Sequence, residues 1–419
     1  MKVLLLTHGT RGDVEPFVAL AEALRLAGHE PIVAAPSTSS QSIEQRGLNA
    51  ISLYDPWPLL SRERVIREAF ERNYRGLLGK WQLIQVVRKY RHSMPSVLED
   101  IAKLGDTYAD MLVYHPAFPG NRIAERTGVP SVAACVQPLW VPTDSFTNPL
   151  IPYDLPAALN HISYLATRIW FRIHFGGTSG LDKVTRRRLR GGRSNVLRKP
   201  DGRPATILQA FSTHMLPSPL NYPSWVHTTG FWFSPATRRF TPPRALSKFL
   251  ETDKPVVYVG FGSSIGIDPV RQGRIIRQAI RLAGVRAVVV SGWGGIEPES
   301  DEDTLPLKNL PFDWLFPRMA AIVHHGGVGT TGSALASGRP QVVCPFYIDQ
   351  PFLARRMHAS GVAPEPLPQI HLTPDRLAIA IRVAVESRRL NRRAKHLGRL
   401  VRDENGVAAA TRILESECQ

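Results

Sequence analysis

The chain alternates short apolar runs with stretches of helical periodicity. Residues 2–7, 31–35 and 111–114 are apolar runs typical of buried parallel strands. Between the first two, over residues 16–28, apolar side chains recur at the i, i+3, i+4, i+7 spacing of one helix face. This alternation of strand and helix predicts a doubly wound parallel sheet in the first half of the chain.

The same rhythm restarts after a proline-rich stretch at 216–255. We therefore expect an α/β protein with two Rossmann-like domains that face each other across a cleft. The predicted N-terminal domain covers 1–231 with helical insertions, and an interdomain linker covers 232–254. The C-terminal domain covers 255–400, and a C-terminal helix at 401–419 is expected to return to the first domain. In such sheets ligands bind at the carboxyl ends of the strands.

Composition excludes several classes of protein. The chain has 419 residues, of which 43% are hydrophobic and 21% charged, so it is neither disordered nor fibrous. Its 3 cysteines are too few and too scattered for a disulfide framework or a cysteine-based zinc site. The apolar run at 3–6 is too short for a signal peptide, and no stretch approaches the roughly 18 apolar residues of a membrane span. These features predict a cytoplasmic location.

Much of the positive charge lies in one segment. The formal net charge is +17, and residues 172–203 hold ten basic side chains against Asp182 and Asp201. This segment is either a solvated loop or an interaction loop for membrane phosphates or an acidic partner. The basic residues lack a recognition motif with interleaved aromatic side chains, so a nucleic-acid partner is not expected.

The strongest candidate for chemistry is the sequence HHGGVGTTGS at 324–333, which lies between an apolar strand and a helix. Gly327 and Gly329 let the backbone turn tightly and approach a ligand closely. The first N–H groups of the helix favour an anion, and His325 and Thr330 add further donors. The pattern predicts a diphosphate-binding turn, with a plain strand–helix connection as the alternative.

About twenty residues later, PFYIDQ at 345–350 follows another apolar strand. Asp349 and Gln350 therefore lie beside the phosphate turn of the neighbouring strand–helix unit. A carboxylate that accepts from two adjacent hydroxyls, together with an amide that donates and accepts, suits a sugar. The alternative interpretation of Asp349 is an N-cap of the following helix.

The turn THGTRGDVEP at 7–16 ends the first strand at the mouth of the cleft. Asp13 is placed there to act as a general base for an attacking hydroxyl, and His8 is the rival base. Arg11 holds either the loop or a phosphate. Asp13 has an alternative interpretation as a helix N-cap.

Taken together, these motifs resemble the family 1 glycosyltransferases of GT-B fold. The resemblance is carried by GTRGDVEPFVALAEAL at 9–24, FGSS at 261–264 and PFDWLFPRMAAIVHHGGVGTTGSALASGRPQVVCPFYIDQPF at 311–352. It is closest to sterol glucosyltransferases and to bacterial enzymes that glycosylate glycopeptide or polyketide aglycones. Residues 55–210 do not match, and in this fold that region usually shapes the acceptor pocket.

The resemblance implies an inverting transfer of a hexose to a hydroxyl of a lipophilic small molecule, such as a sterol or a polyketide or glycopeptide product. UDP-glucose is the first expectation for the donor and a dTDP-sugar the alternative, with no metal and no cofactor besides this co-substrate. Asp13 or His8 is the implied base, with Arg11 and Gly12 close to the phosphates. The positions that match the nucleotide-sugar site are Ser263, Ser264, Phe312, Trp314, His325, Gly327, Gly329, Thr330, Asp349 and Gln350.

Two other functions stay open on the same architecture. One is a non-catalytic helper or binding subunit, and the other is a nucleotide-sugar epimerase that needs no acceptor. The expected partners are a nucleotide sugar and a lipophilic acceptor, with peripheral membrane contact through 172–203 as a further hypothesis. The DxD-like run at 301–303 lies in an acidic stretch and is interpreted as a solvated loop, not a metal site.

Overall fold

A computed structural model describes the chain in nine segments. They are residues 1–71, 76–174, 197–199, 202–234, 240–262, 268–292, 296–297, 300–308 and 310–418. Two parallel sheets organise these segments, one built from each half of the chain. The predicted pair of Rossmann-like domains is confirmed.

The first sheet has seven strands in the order β3-β2-β1-β4-β5-β6-β7. Its strands are β1 (Lys2–Leu6), β2 (Glu30–Pro36), β3 (Asn49–Leu53), β4 (Met111–Tyr114), β5 (Ser131–Cys135), β6 (Ile207–Gln209) and β7 (Val226–Thr228). The helices of this half are α1 (Arg11–Leu26), α2 (Ser37–Glu44), α3 (Trp57–Leu60), α4 (Arg64–Glu71), α5 (Gly76–Lys103), α6 (Gly120–Thr127), α7 (Asn160–Ser163) and α8 (Leu165–His174).

The second sheet has five strands in the order β10-β9-β8-β11-β12. Its strands are β8 (Val256–Gly260), β9 (Arg286–Val290), β10 (Thr304–Leu307), β11 (Ile322–His324) and β12 (Gln341–Val343). The helices are α9 (Arg244–Leu250), α10 (Pro269–Ala283), α11 (Phe312–Leu315), α12 (Val328–Ser337), α13 (Gln350–Ala359), α14 (Pro374–Glu386), α15 (Arg388–Asp403) and α16 (Gly406–Glu417).

Both faces of each sheet are covered, which explains the uninterrupted apolar runs. In β1, Leu4 and Leu6 enter one buried cluster while Val3 and Leu5 enter another. Successive strand side chains point to opposite faces, so a run that is apolar at every position buries both faces of the sheet. The strands of the second sheet divide between two clusters in the same way.

Strand order places the switch points of both sheets next to the predicted motifs. In the first sheet β1 lies between β2 and β4, and in the second β8 lies between β9 and β11. Strand order reverses there, and a crevice opens at the carboxyl ends of the central strands. The first turn of α1, the helix after β1, carries Asp13, and the turn after β11 carries His325.

The C-terminal helix α16 packs on the first domain. Ala410 and Leu414 share a buried cluster with Leu20 and Leu24 of α1, and Glu415 Oε1 lies 3.0 Å from His29 Nε2. The stretch predicted as a linker, 232–254, contains α9, which packs on the second sheet through buried side chains. The packed part of the second domain therefore extends back to residue 244, whereas the sequence predicts a boundary at 255. None of the described helices is long and apolar enough to cross a membrane.

Candidate active site

Asp13 is held from two directions at the start of α1. Its Oδ2 accepts from the Thr10 backbone N–H at 2.8 Å and from the Thr10 hydroxyl at 3.1 Å. Its Oδ1 accepts from Gln137 Nε2 at 2.7 Å. Thr10 is the N-cap of α1, and Asp13 closes a capping box from position N3, so Asp13 is not itself the N-cap. Its side chain also lies at the carboxyl edge of the first sheet.

His8 faces inward from the same turn. Its Nε2 donates to the Tyr54 carbonyl oxygen at 2.8 Å, because a carbonyl oxygen only accepts. The ring lies 5.3 Å from that of Phe118, and burial lowers the pKa of the imidazole. His8 is thus a neutral side chain whose Nδ1 is its basic atom.

The turn after β11 depends on glycine at two positions. Gly326 has φ +89°, a left-handed conformation that favours glycine. A Cβ on Gly327, the N-cap of α12, would lie 2.5 Å from His325 Nε2. His324 braces this turn, because its Nδ1 accepts from the Gly326 N–H at 3.0 Å while its Nε2 bonds Gln341 Oε1 at 2.8 Å. The backbone N–H groups at the start of α12 therefore lie in a tight, fixed turn.

His325 is buried against this turn and is neutral. Burial, with neighbouring His324 in addition, lowers the pKa of its imidazole to about 3. Its Nδ1 is buried and has no hydrogen-bond partner among the residues that the structure describes. A buried polar atom left unpaired is costly, which points to a ligand at this position.

Asp349 is a buried carboxyl group at the start of α13. Its side chain makes no capping bond to that helix, all of which is described. Burial raises the pKa of Asp349 to about 7, and the charge of Asp13 raises it as well. The residue before it, Ile348, has φ +58°, a strained conformation for a β-branched residue. Such strain is typical of functional loops.

Gln350 organises the loop before α13. Its Oε1 accepts from the backbone N–H groups of Phe346 at 2.9 Å and Tyr347 at 3.3 Å. The amide oxygen therefore holds the loop, and the amide nitrogen is the end of the group that suits a ligand.

The two domains bring these residues into one cleft. A Cβ on Gly329, in the first turn of α12, would lie 4.0 Å from the Gly12 Cα in α1. The Arg11 guanidinium lies 5.7 Å from the centre of the Phe312 ring across the same gap. The positive ends of two helix dipoles thus approach each other, with Asp13 and Asp349 on opposite walls of the cleft.

Two family models match the chain, one in each half. Residues 3–134 match the Glycosyltransferase family 28 N-terminal domain. Residues 303–407 match the Erythromycin biosynthesis protein CIII-like, C-terminal domain. The cleft motifs of α1 and α12 fall inside these two matches. The N-terminal half thus resembles glycosyltransferases in sequence, and the two facing Rossmann-like domains form a GT-B fold.

Curated relatives and solved structures extend the similarity over the whole GT-B chain. The sterol 3-beta-glucosyltransferase of Emericella nidulans is 30% identical over 99% of this chain and 30% of that protein. Sterol 3-beta-glucosyltransferase UGT80A2 of Arabidopsis thaliana is 29% identical over 98% of this chain and 65% of that protein. The chain thus spans less than two thirds of the length of these relatives.

The structural neighbours confirm the fold. The glycotransferase of kitacinnamycin has a TM-score of 0.70 at 17% identity and covers 100% of this chain and 99% of its own. Glycosyltransferase VinC in complex with DTDP has a TM-score of 0.64 at 20% identity, with 100% and 99% covered. Spinosyn rhamnosyltransferase SpnG has a TM-score of 0.67 at 18% identity, with 99% and 100% covered.

Trp314 is the predicted site residue that the GT-B fold does not bring to the cleft. Its ring lies 5.2 Å from that of Phe240 and 4.2 Å from the Arg318 guanidinium. It lines a cavity of about 560 Å³ with Val256 and Ala320. These two residues mark the amino ends of β8 and β11, so the cavity lies at the sheet edge opposite the cleft.

Phe312 remains at the cleft, stacked on Phe316 at 4.3 Å and touched by Arg11. Thr330 and Gly329 lie in the first turn of α12, as their positions in the motif require. Ser263 and Ser264 lie outside the described residues, as does most of the basic segment at 172–203.

Two residues that sequence reasoning missed lie beside Asp13. His115 follows β4 directly, and Gln137 lies just after β5. Because β1, β4 and β5 are neighbours, their carboxyl ends meet at the same edge of the sheet. His115 and Gln137 each follow an apolar run that predicts a strand, and this position is the sequence signal that indicates them.

Proposed function

We propose that the protein is a glycosyltransferase that moves a hexose from a nucleoside-diphosphate sugar to a hydroxyl of a lipophilic small molecule. The observation that carries the proposal is the cleft between α1 and α12. Two helix N-termini face each other there, and Asp13 and Asp349 lie on opposite walls. Curated relatives named sterol 3-beta-glucosyltransferase support glucose as the sugar and a sterol-like acceptor.

The diphosphate of the donor would bind at the start of α12. Gly327 and Gly329 let it approach the backbone N–H groups, and Thr330 and the neutral His325 supply further donors. Negative charge develops on the diphosphate as its bond to the anomeric carbon breaks. N–H dipoles that are already fixed stabilise that charge, and one such donor is worth about 2.7–4 kcal/mol in a transition state. In this proposal these groups carry the charge without a metal ion.

Asp13 would act as the base. The charge of Asp13 acts on Asp349 across the cleft, which supports a position of its carboxylate close to the proposed sugar site. His8 stays the rival base through its Nδ1, because its Nε2 is bonded to Tyr54. The acceptor hydroxyl gives its proton to the Asp13 carboxylate while its oxygen attacks the anomeric carbon. The bond to the diphosphate breaks on the opposite face, which inverts the anomeric configuration. General base catalysis contributes roughly 10²–10⁴-fold.

Asp349 and Gln350 would bind the donor sugar. An ionised Asp349 accepts from sugar hydroxyls, and the Gln350 amide nitrogen donates because its oxygen is bonded to the loop. UDP-glucose is the first candidate donor. A dTDP-sugar is the alternative, and solved neighbours include complexes described with thymidine diphosphate.

An aromatic path supports a lipophilic acceptor. The rings of His115 and Trp140 are 5.6 Å apart, and those of Trp140 and Phe171 are 4.4 Å apart. This path leads from the edge of the site toward α8. Membrane contact through 172–203 and a cytoplasmic location stay predictions.

Incubation with radiolabelled UDP-glucose or dTDP-glucose, sterol and polyketide acceptors, and EDTA tests the proposal. We expect a labelled, solvent-extractable glycoside with inverted anomeric configuration, which Asp13→Asn fails to form. An isomerised nucleotide sugar formed without acceptor would indicate the epimerase. Nucleotide binding with no product from any acceptor would favour the helper subunit.

A further inference from the structure

A chain of hydrogen bonds leads from the Asp13 carboxylate to two residues of the first domain. Gln137 Nε2 donates to Asp13 Oδ1 at 2.7 Å, and His115 Nε2 lies 3.4 Å from Gln137 Oε1. The side chain of His115 is 4% exposed. The first turn of α1, which follows β1, and the segments that directly follow β4 and β5 thus contribute one residue each to a single chain.

The hydrogen bond that His115 makes at the far end of this chain fixes the direction of the other bonds. The Ala117 backbone N–H donates to His115 Nδ1 at 3.2 Å, so Nδ1 carries a lone pair. The neutral imidazole then carries its proton on Nε2, which donates to the Gln137 oxygen. With its oxygen occupied, Gln137 turns its nitrogen toward the carboxylate. Burial lowers the pKa of His115, which keeps the ring in this neutral form.

This direction matters because an amide can present either end. A reversed Gln137 would place its oxygen against the Asp13 carboxylate, where two acceptors repel. His115 selects the favourable end, while Thr10 holds the other carboxylate oxygen. A carboxylate can accept about four hydrogen bonds in total, so Asp13 can still accept one from the hydroxyl of the substrate that receives the sugar.

We propose that His115 and Gln137 are positioning residues that fix the Asp13 carboxylate in the orientation in which it takes the acceptor proton. The proposal rests on the proposed function, in which Asp13 is the base. Small displacements of a catalytic group cost about a hundredfold in rate, which sets the scale for loss of the chain.

The competing role for both residues is packing alone. The His115 ring lies 6.2–6.4 Å from those of Phe118 and Phe17 and 5.6 Å from that of Trp140. A residue that only fills this space would change stability when replaced, without a selective loss of turnover.

Kinetics of paired variants separate the two roles. Gln137→Met keeps the shape and removes the donor, and we expect kcat to fall about ten- to a hundredfold with KM for the donor unchanged. His115→Phe should lower kcat similarly, and His115→Gln should recover most of it, because its amide nitrogen can donate from the position of Nε2. Gln209→Met is the control for the same change of side chain, since Gln209 accepts from the Thr228 hydroxyl at 2.6 Å outside the site.

The pH–rate profile adds a readout that packing does not move. Gln137→Glu places a second carboxyl beside Asp13, and the two should share a proton. The acid limb of kcat/KM is then expected at higher pH than in the wild type. The other titratable groups that face Asp13 are His8 and His115 in the first domain and Asp349 in the second, with Arg11 on the same helix. They are unchanged in this variant.

A measurement that needs no activity completes the test. Nitrogen NMR of the ¹⁵N-histidine-labelled full chain, assigned with His115→Phe, reports which ring nitrogen carries the proton. The proton on Nε2, together with the kinetic losses, supports the proposal. The proton on Nδ1, or variants with wild-type turnover and acid limb, overturns it. A wild type without transferase activity would overturn the proposed function, and the NMR result would still decide the direction of the chain.

Discussion

Replacement of Asp349 by asparagine is expected to stabilise the unliganded protein at alkaline pH and to change its stability little in acid. Asp349 is 9% exposed, and its side chain makes no capping bond to α13, a helix that is described throughout. Burial, with the charge of Asp13 in addition, raises its pKa from 3.8 to about 7. The change to asparagine keeps the shape and removes the group that ionises.

The sign and size follow from proton binding. Below about pH 4 the carboxyl is protonated in both the folded and the unfolded chain, so it has no effect on stability. Between about pH 4 and 7 the unfolded chain has lost this proton while the folded one keeps it. Folding free energy is then lost at about 1.4 kcal/mol per pH unit. Over roughly three units the loss reaches at most about 4 kcal/mol, complete above about pH 7.

Calorimetric melting of the wild type and Asp349→Asn across this pH range measures the effect. A domain of this size shifts its Tm by about 2–4 °C per kcal/mol, so we expect the variant to melt on the order of 10 °C higher at about pH 8. At about pH 4.5 the difference should be close to 2 °C. Asp375→Asn is the control, because Asp375 is an exposed aspartate in the first turn of α14.

A Tm difference that is the same at both ends of the pH range would refute the reasoning, as would a variant that is less stable in alkali. Either result would mean that the carboxyl is solvated or paired in the folded protein. The expected result would show that the second domain keeps a carboxylate at a position where it destabilises the unliganded fold. Residues of that kind are typical of binding sites.

Three further predictions concern the proposed site. Asp13→Ala should lower kcat by about 10²–10⁴-fold while calorimetry finds the affinity for UDP unchanged; full turnover would instead assign the base to His8. His325→Ala should raise the Kd for UDP about five- to tenfold, the loss of one hydrogen bond, and Gly327→Ala should do the same because its Cβ would lie 2.5 Å from His325 Nε2. Asp349→Ala should raise the Kd for UDP-glucose more than that for UDP, and equal changes would contradict its contact with the sugar.

The apolar runs predicted the central strands because those strands are buried on both faces. The strands at the edges of the sheets have weaker sequence patterns. β10 contains Pro306, which suits an edge strand but interrupts a strand pattern, and β6 and β7 have only three residues each. β3 has a single buried residue, Leu53, so it lacks a buried apolar run.

Within the site, Asp13, His325 and Asp349 could be predicted because each follows an apolar strand in its own motif. Gln137 could not be assigned a role, since its bond to Asp13 joins residues 124 positions apart. For Trp314 the sequence predicts a place in the site, and the structure places the residue elsewhere. An aromatic residue in a matching motif does not reveal which edge of the sheet its ring lines, and this ring lies away from the cleft.

The most direct test of the account is a calorimetric titration of the full chain with UDP and with dTDP in the presence of EDTA. We expect micromolar binding of at least one nucleotide, weakened by His325→Ala and unaffected by Asp13→Ala. Absence of binding by both nucleotides, or binding that His325→Ala leaves unchanged, would contradict a diphosphate site at the start of α12.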